Sequence, residues 1–137
     1  MSRLLPELIC SDLPSSLAFY RPLGFIIEYE RASERFAYLT RDDAHLMLEQ
    51  PLTHDRLHPR AQLAHPYGRG VNLTLDVEDV RGLSAAIAAA GHPLYLPLEQ
   101  HRYERADDAV GVLQFAAQDP DGYLLRVSQH LGTRRLR

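Results

Sequence analysis

The sequence predicts an α+β fold made of two β-α-β-β-β modules in one domain. Three observations carry that prediction. Two aspartates suited to cap a helix, Asp12 and Asp79, are each followed twelve residues later by a glycine suited to end it, Gly24 and Gly91. The segment "VNLTLDV" alternates cleanly, with Val71, Leu73, Leu75 and Val77 facing one way and Asn72, Thr74 and Asp76 the other. The order strand, helix, three strand-like runs then occurs twice along the 137 residues, as an internal duplication would produce.

Module one covers about residues 4–50. Leu4–Cys10 opens it as a strand, and the helix predicted over Leu13–Leu23 tolerates Pro14 in its first turn. Leu13, Leu17 and Tyr20 share one helical face. Phe25–Glu30, Arg35–Thr40 and Leu46–Gln50 read as strands. A linker of about residues 51–70 follows, rich in Pro and Gly and without periodicity; linkers that long in a small domain are usually functional or mobile. Module two covers about residues 71–130. After the strand Val71–Val77 it predicts a helix over Val80–Ala90, whose alanine run favours helix and allows close approach to a sheet. Strands are predicted near Leu94–Leu98, Val110–Ala117 and Tyr123–Gln129. The charged stretch Glu99–Asp108 reads as a solvated loop, or as a flap with Tyr103 at its tip.

Without a gap, "RDDAHLMLEQ" from Arg41 lies over "QDPDGYLLRV" from Gln118. That overlay sets Glu49 against Arg126, and the two opening strands set Glu7 against Asn72. Each module's sheet has one face under its helix. Two opposite faces turned toward each other would enclose a cleft, with Glu7, Glu49, Asn72 and Arg126 on it.

Bulk properties exclude several function classes. Hydrophobic residues make up 45% of the chain, enough for a core, and the net charge of −3 argues against a general nucleic-acid binder. The basic ending Thr133–Arg137 reads as a frayed terminus. No run approaches the roughly 20 apolar residues of a membrane span, and no signal-peptide pattern opens the chain. Cys10 stands alone in an apolar run, which excludes an internal disulfide, fits a reducing cytoplasm and suits a packed thiol. No Ser-His-Asp order, CxxC or phosphate-cradling glycine loop is present. In the linker, "HDRLH" puts His54 and His58 four apart, with His65 beyond; solvated histidines are the plain reading and a metal site the sharper one.

The stretches "LPELICSDLPSSLAFYRPLGF", "AHLMLEQ", "VNLTLDVEDV" and "AQDPDGYLLRVSQ", in this order, resemble the vicinal oxygen chelate superfamily of glyoxalase I, extradiol dioxygenases, fosfomycin-resistance enzymes and bleomycin-resistance proteins. The resemblance spans about residues 4–130. Its metal enzymes hold their ion at four matching sites, which fall here on Glu7, Glu49, Asn72 and Arg126. Asn72 is a poor ligand, and Arg126 cannot be one, because a guanidinium keeps its protons and offers no lone pair. "DPDG" followed by "LLR" instead resembles the bleomycin-resistance branch. That resemblance implies a cytoplasmic homodimer that binds and sequesters a small-molecule drug, with no metal or other cofactor, no catalytic residues, no nucleic acid and no membrane. Glu7, Tyr38, Glu49, Asn72, Tyr103 and Arg126 are then the expected ligand-binding residues. With no tryptophan, stacking falls to Phe36, Tyr38, Tyr95 or Tyr103, although Phe36 and Tyr38 share a strand face whose plainer reading is core packing. Arg126 either pairs with Glu49 or Glu7, or anchors an anionic ligand group. The alternatives are a metal-dependent lyase or dioxygenase using Glu7, Glu49 and linker histidines, and a non-catalytic partner domain with a vestigial groove.

Overall fold

A computed structural model describes residues 4–51 and 63–136, and His54, Asp55 and His58 lie outside the described residues. The chain divides into two compact units. One is Met1–Val71 with Asp119–Tyr123, and the other is Asn72–Gln118 with Leu124–Arg137.

In the first unit the elements run β1 (Glu7–Ile9), α1 (Leu13–Tyr20), β2 (Ile26–Arg31), β3 (Phe36–Arg41) and β4 (Ala44–Glu49). The sheet order is β1-β4-β3-β2, with β1 parallel to β4 and the other pairs antiparallel. Asp12 caps α1 by accepting a hydrogen bond from Ser15 N at 3.1 Å, and Gln50 Oε1 accepts from Leu13 N at 2.9 Å. These bonds satisfy first-turn donors that have no partner inside the helix. The helix ends in a short 3-10 turn, Arg21–Leu23, closed by Gly24 at φ +94°. Leu13, Ser16, Leu17, Phe19 and Tyr20 are its buried residues. Leu8, Cys10, Ala37, Leu39, Leu46 and Leu48 alternate onto one face of the sheet and are buried.

The turn Asp119–Tyr123 belongs to this first unit and is cemented into it. Tyr20 Oη donates to Asp119 Oδ2 at 2.7 Å, while Asp121 N and Tyr123 N donate to Asp119 Oδ1 at 2.9 and 3.0 Å. Ser11 N donates to Asp121 Oδ2 at 2.9 Å, and Tyr123 Oη donates to the Ile9 carbonyl at 2.9 Å. Burial pushes the Asp119 carboxyl above its ordinary range, against the hydrogen bonds that favour its charge. Burial likewise pushes the Cys10 thiol to about 12, so it packs as a neutral group.

The second unit repeats the design: β5 (Asn72–Asp76), α2 (Val80–Ala89), β6 (Leu96–Glu104), β7 (Asp108–Gln118) and β8 (Leu124–Arg135), in the order β5-β8-β7-β6. Asp79 caps α2 through Gly82 N at 3.0 Å, and Gln129 Oε1 accepts from Val80 N at 3.1 Å, matching Asp12 and Gln50. Its core includes Leu75, Val77, Val80, Ile87, Phe115, Leu125 and Val127.

Two expectations about local structure are corrected here. Glu99–Glu104 is strand rather than loop or flap, because it pairs with β7 from Gln114 to Ala109. The basic ending is not frayed: Thr133, Arg134 and Arg135 pair with Val110, Ala109 and Asp108. Both stretches are exposed and mostly polar on both faces, so the alternation that marks a half-buried strand is missing from them.

Candidate functional site

The register of the two sheets shifts the correspondence drawn between the modules. Ile9 pairs with Glu49 and Asp76 with Ser128. Cys10 N donates to the Glu49 carbonyl, and Val77 N donates to the Ser128 carbonyl, both at 2.9 Å. Gln50 and Gln129 hold equal places at the two helix starts. Ser128, not Arg126, is therefore the counterpart of Glu49, and Thr74 the counterpart of Glu7. Counting back two residues along each strand, Asn72 and Arg126 correspond to Leu5 and Met47. The ungapped overlay is one residue out of step on β3 and β7, where Phe36 matches Gln114, and a longer second hairpin loop adds one more: Thr40 pairs with His45, whereas Gln118 pairs with Leu124.

This correction bears on metal binding. The four corresponding positions hold an alkyl chain, a thioether, a carboxamide and a guanidinium. Hard cations take carboxylate and carbonyl oxygens, and zinc or iron take imidazole, carboxylate or thiolate. The donor set does not fit a resident metal ion. Among the described residues, no three His, Cys, Asp or Glu side chains group in a way that could hold one.

On the face of the first unit's sheet turned away from its core, the register aligns Glu7, Met47, Tyr38 and Tyr29 in one row and Ile9, Glu49, Phe36 and Arg31 in the next. The rings form a shelf. Tyr29 stacks on Tyr38 with centroids 5.1 Å apart and planes 18° apart, and Phe36 lies 6.1 Å from Tyr29. The Arg31 guanidinium sits 4.0 Å over the Phe36 ring and is held by Glu34 at 2.6 Å. Tyr38 shares a hydrogen bond of 2.7 Å with His45 Nδ1, and desolvation holds its hydroxyl above the ordinary phenol range. Tyr38 itself is only 5% exposed, whereas Tyr29 is 47% exposed, so Tyr29 offers the accessible ring. Glu7 is exposed and Glu49 half-buried on the same face.

Tyr29 and His45 escaped the sequence reading. A β-bulge between Ile27 and Tyr29 brings Tyr29 into line with Tyr38, and simple alternation along "IIEYER" hides that.

In the second unit, the face opposite α2 carries Asn72, Thr74, Asp76, Arg126, Ser128, Gln114, Glu99 and Tyr103. Gln114 is buried, and its Nε2 donates to Tyr103 Oη at 2.8 Å and to Glu99 Oε1 at 3.3 Å. Tyr103 is thus tied to its sheet rather than carried on a flap. His101 packs against the Tyr103 ring at 4.3 Å. Asn72 is exposed, and Arg126 is half-buried between Thr74 and Ala116. No carboxylate of its own unit stands within 4.0 Å of the Arg126 guanidinium among the described residues. The six expected ligand residues thus divide three and three. Glu7, Tyr38 and Glu49 belong to the first unit, and Asn72, Tyr103 and Arg126 to the second.

The model of the Glyoxalase/Bleomycin resistance protein/Dioxygenase superfamily matches residues 4–127. Among solved structures, the chain is 38% identical to a member of that superfamily from Vibrio splendidus 12B01, over 94% of this chain and 98% of that one, with a TM-score of 0.42. It is 20% identical to TioX from Micromonospora sp. ML1, over 96% of this chain and 100% of that one, with a TM-score of 0.69. It is 23% identical to a bleomycin resistance determinant encoded on transposon Tn5, over 96% and 100% of the two chains, with a TM-score of 0.63. The last two are likenesses of fold. No curated protein matches the chain.

Proposed function

The chain belongs to the glyoxalase/bleomycin resistance protein/dioxygenase superfamily, and from that premise we propose that it binds and sequesters a small planar molecule without metal chemistry. The observation that carries this reading is the shelf of Tyr29, Phe36 and Tyr38. An exposed ring backed by a second ring and stiffened by neighbours offers a flat surface with little entropy left to lose. Glu7 and Glu49 lie on the same face and favour a ligand carrying positive charge. Asn72, Tyr103 and Arg126 are the polar contacts proposed for the second unit. Arg126 anchors an anionic group where a ligand has one.

The matching test is thermal shift of the whole chain with planar aromatic compounds, starting with bleomycin, in excess EDTA. Stabilisation by a planar cation supports the reading. Stabilisation that appears only with a divalent ion favours the second reading, a metal-dependent lyase or dioxygenase, for which Glu7 and Glu49 on one sheet face are the observation in favour. The proposed working form is a homodimer in the cytoplasm. Sedimentation equilibrium is then expected to give twice the 15.5 kDa chain mass. Among the described residues, no helix is long and apolar enough to cross a membrane.

A further inference from the structure

The basic C-terminal residues lie on an ordered three-stranded ribbon. Gly132 and Arg134 of β8 pair with Gly111 and Ala109 of β7, and Leu136 N donates to the Asp107 carbonyl at 3.0 Å. Across β7, Arg102 of β6 stands opposite Gly111. Arg102 and Arg134 therefore flank the central strand from its two sides, rooted about 10 Å apart laterally by ordinary strand spacing. Between them, Gly111 faces Gly132, so that part of the floor is bare backbone, with Ala109 and Leu131 beside it. A hollow of about 300 Å³ lies there, with Gln100 and Thr133 on its rim.

Charge in the hollow has one sign. Its lining holds two guanidinium groups and no carboxylate. Two other arginines contrast with them: Arg105 grips Asp108 through two bonds of 2.7 Å, and Arg31 grips Glu34 at 2.6 Å. Neither Arg102 nor Arg134 has a carboxylate within 4.0 Å among the described residues. Glu104, on the same face, stands opposite Ala109 and outside the lining. Two uncommitted guanidinium groups converging over a glycine floor suit a tetrahedral oxyanion. Each fork can take a pair of oxygens, and the missing side chains let the ion approach the backbone.

We propose that Arg102 and Arg134, over the Gly111–Gly132 floor, form a site for the phosphate group of a small molecule. The site lies on the α2 side of its sheet, in line with Leu113 and Phe115, whereas Arg126 and Tyr103 lie on the opposite side. It is independent of the ligand-binding reading given above.

Isothermal titration of the whole chain with inorganic pyrophosphate at low salt tests it. Saturable one-to-one binding is expected, weakened at least about tenfold in both Arg102→Gln and Arg134→Gln, as loss of a charge-assisted pair requires. Gly111→Ala covers the floor and is expected to weaken binding too. Its added Cβ would meet the Leu131 Cβ at 3.7 Å, ordinary contact, so the fold is kept. Arg81→Gln, on α2 and outside the hollow, leaves binding unchanged. Absence of saturable binding overturns the proposal, and so does an equal loss in Arg81→Gln. Loss in Arg126→Gln with none in Arg102→Gln moves the ion to the opposite face. Citrate binding as tightly as pyrophosphate removes the assignment to phosphate.

Discussion

Tyr29 is the exposed ring of the row, stacked on Tyr38 and with the Arg31 guanidinium 6.0 Å from its centroid. A stacked ligand would meet Tyr29 first and feel Tyr38 through it. Tyr29→Ala is therefore expected to cost a planar ligand about tenfold in affinity, the scale of a lost aromatic pair with its buried area. Equilibrium fluorescence titration reads the change, and an unaltered affinity would remove the shelf from the site. Asp119 carries a different kind of prediction. Burial raises its folded-state carboxyl above the unfolded value. Its contribution to stability is thus full below the unfolded range of about 4 and declines as pH rises through the raised folded value. Urea unfolding at several pH values should show wild type losing ground against Asp119→Asn as pH rises above about 4. A difference independent of pH would contradict the assignment. Of the residues proposed for the site, Glu7, Tyr38 and Arg126 are visible in the sequence as strand side chains. Tyr29 was not, since a bulge changes which residues share a face without any residue type that announces it.

Helices were the legible elements. Their starts are written by aspartates and their ends by glycines, and the structure ends both as those residues direct, Gly24 and Gly91 taking φ of +94° and +87°. Strands were legible only where one face is buried. β6 and the outer half of β8 are exposed on both faces, so nothing in their polarity records the pairing that holds them. Module correspondence was readable at the helix starts and misread by two residues at the last hairpin, where loop length rather than sequence sets the register. The duplicated glutamines, Gln50 and Gln129, each satisfy a first-turn amide of a helix. Gln129→Ala leaves Val80 N without that acceptor. It is expected to cost about 1 kcal/mol and to lower Tm by about 3–6 °C, read by scanning calorimetry. An unchanged Tm would mean that the bond to Gln129 adds nothing to the stability of α2.

Considered as a whole, the molecule is mildly acidic, duplicated, and a member of the glyoxalase/bleomycin resistance protein/dioxygenase superfamily. The chemistry at four corresponding positions bears on the proposed function. Leu5, Met47, Asn72 and Arg126 supply no strong ligand for a hard or borderline ion, and the guanidinium repels one. The first unit adds a stacked aromatic surface with acids beside it. Both features support the proposed binding role. The most direct test is an aromatic-region NMR titration of the whole chain with bleomycin in excess EDTA. The account predicts saturable shifts of the Tyr29, Phe36 and Tyr38 ring signals with the chelator present. Absence of shifts, or shifts that require added divalent ion, would contradict it.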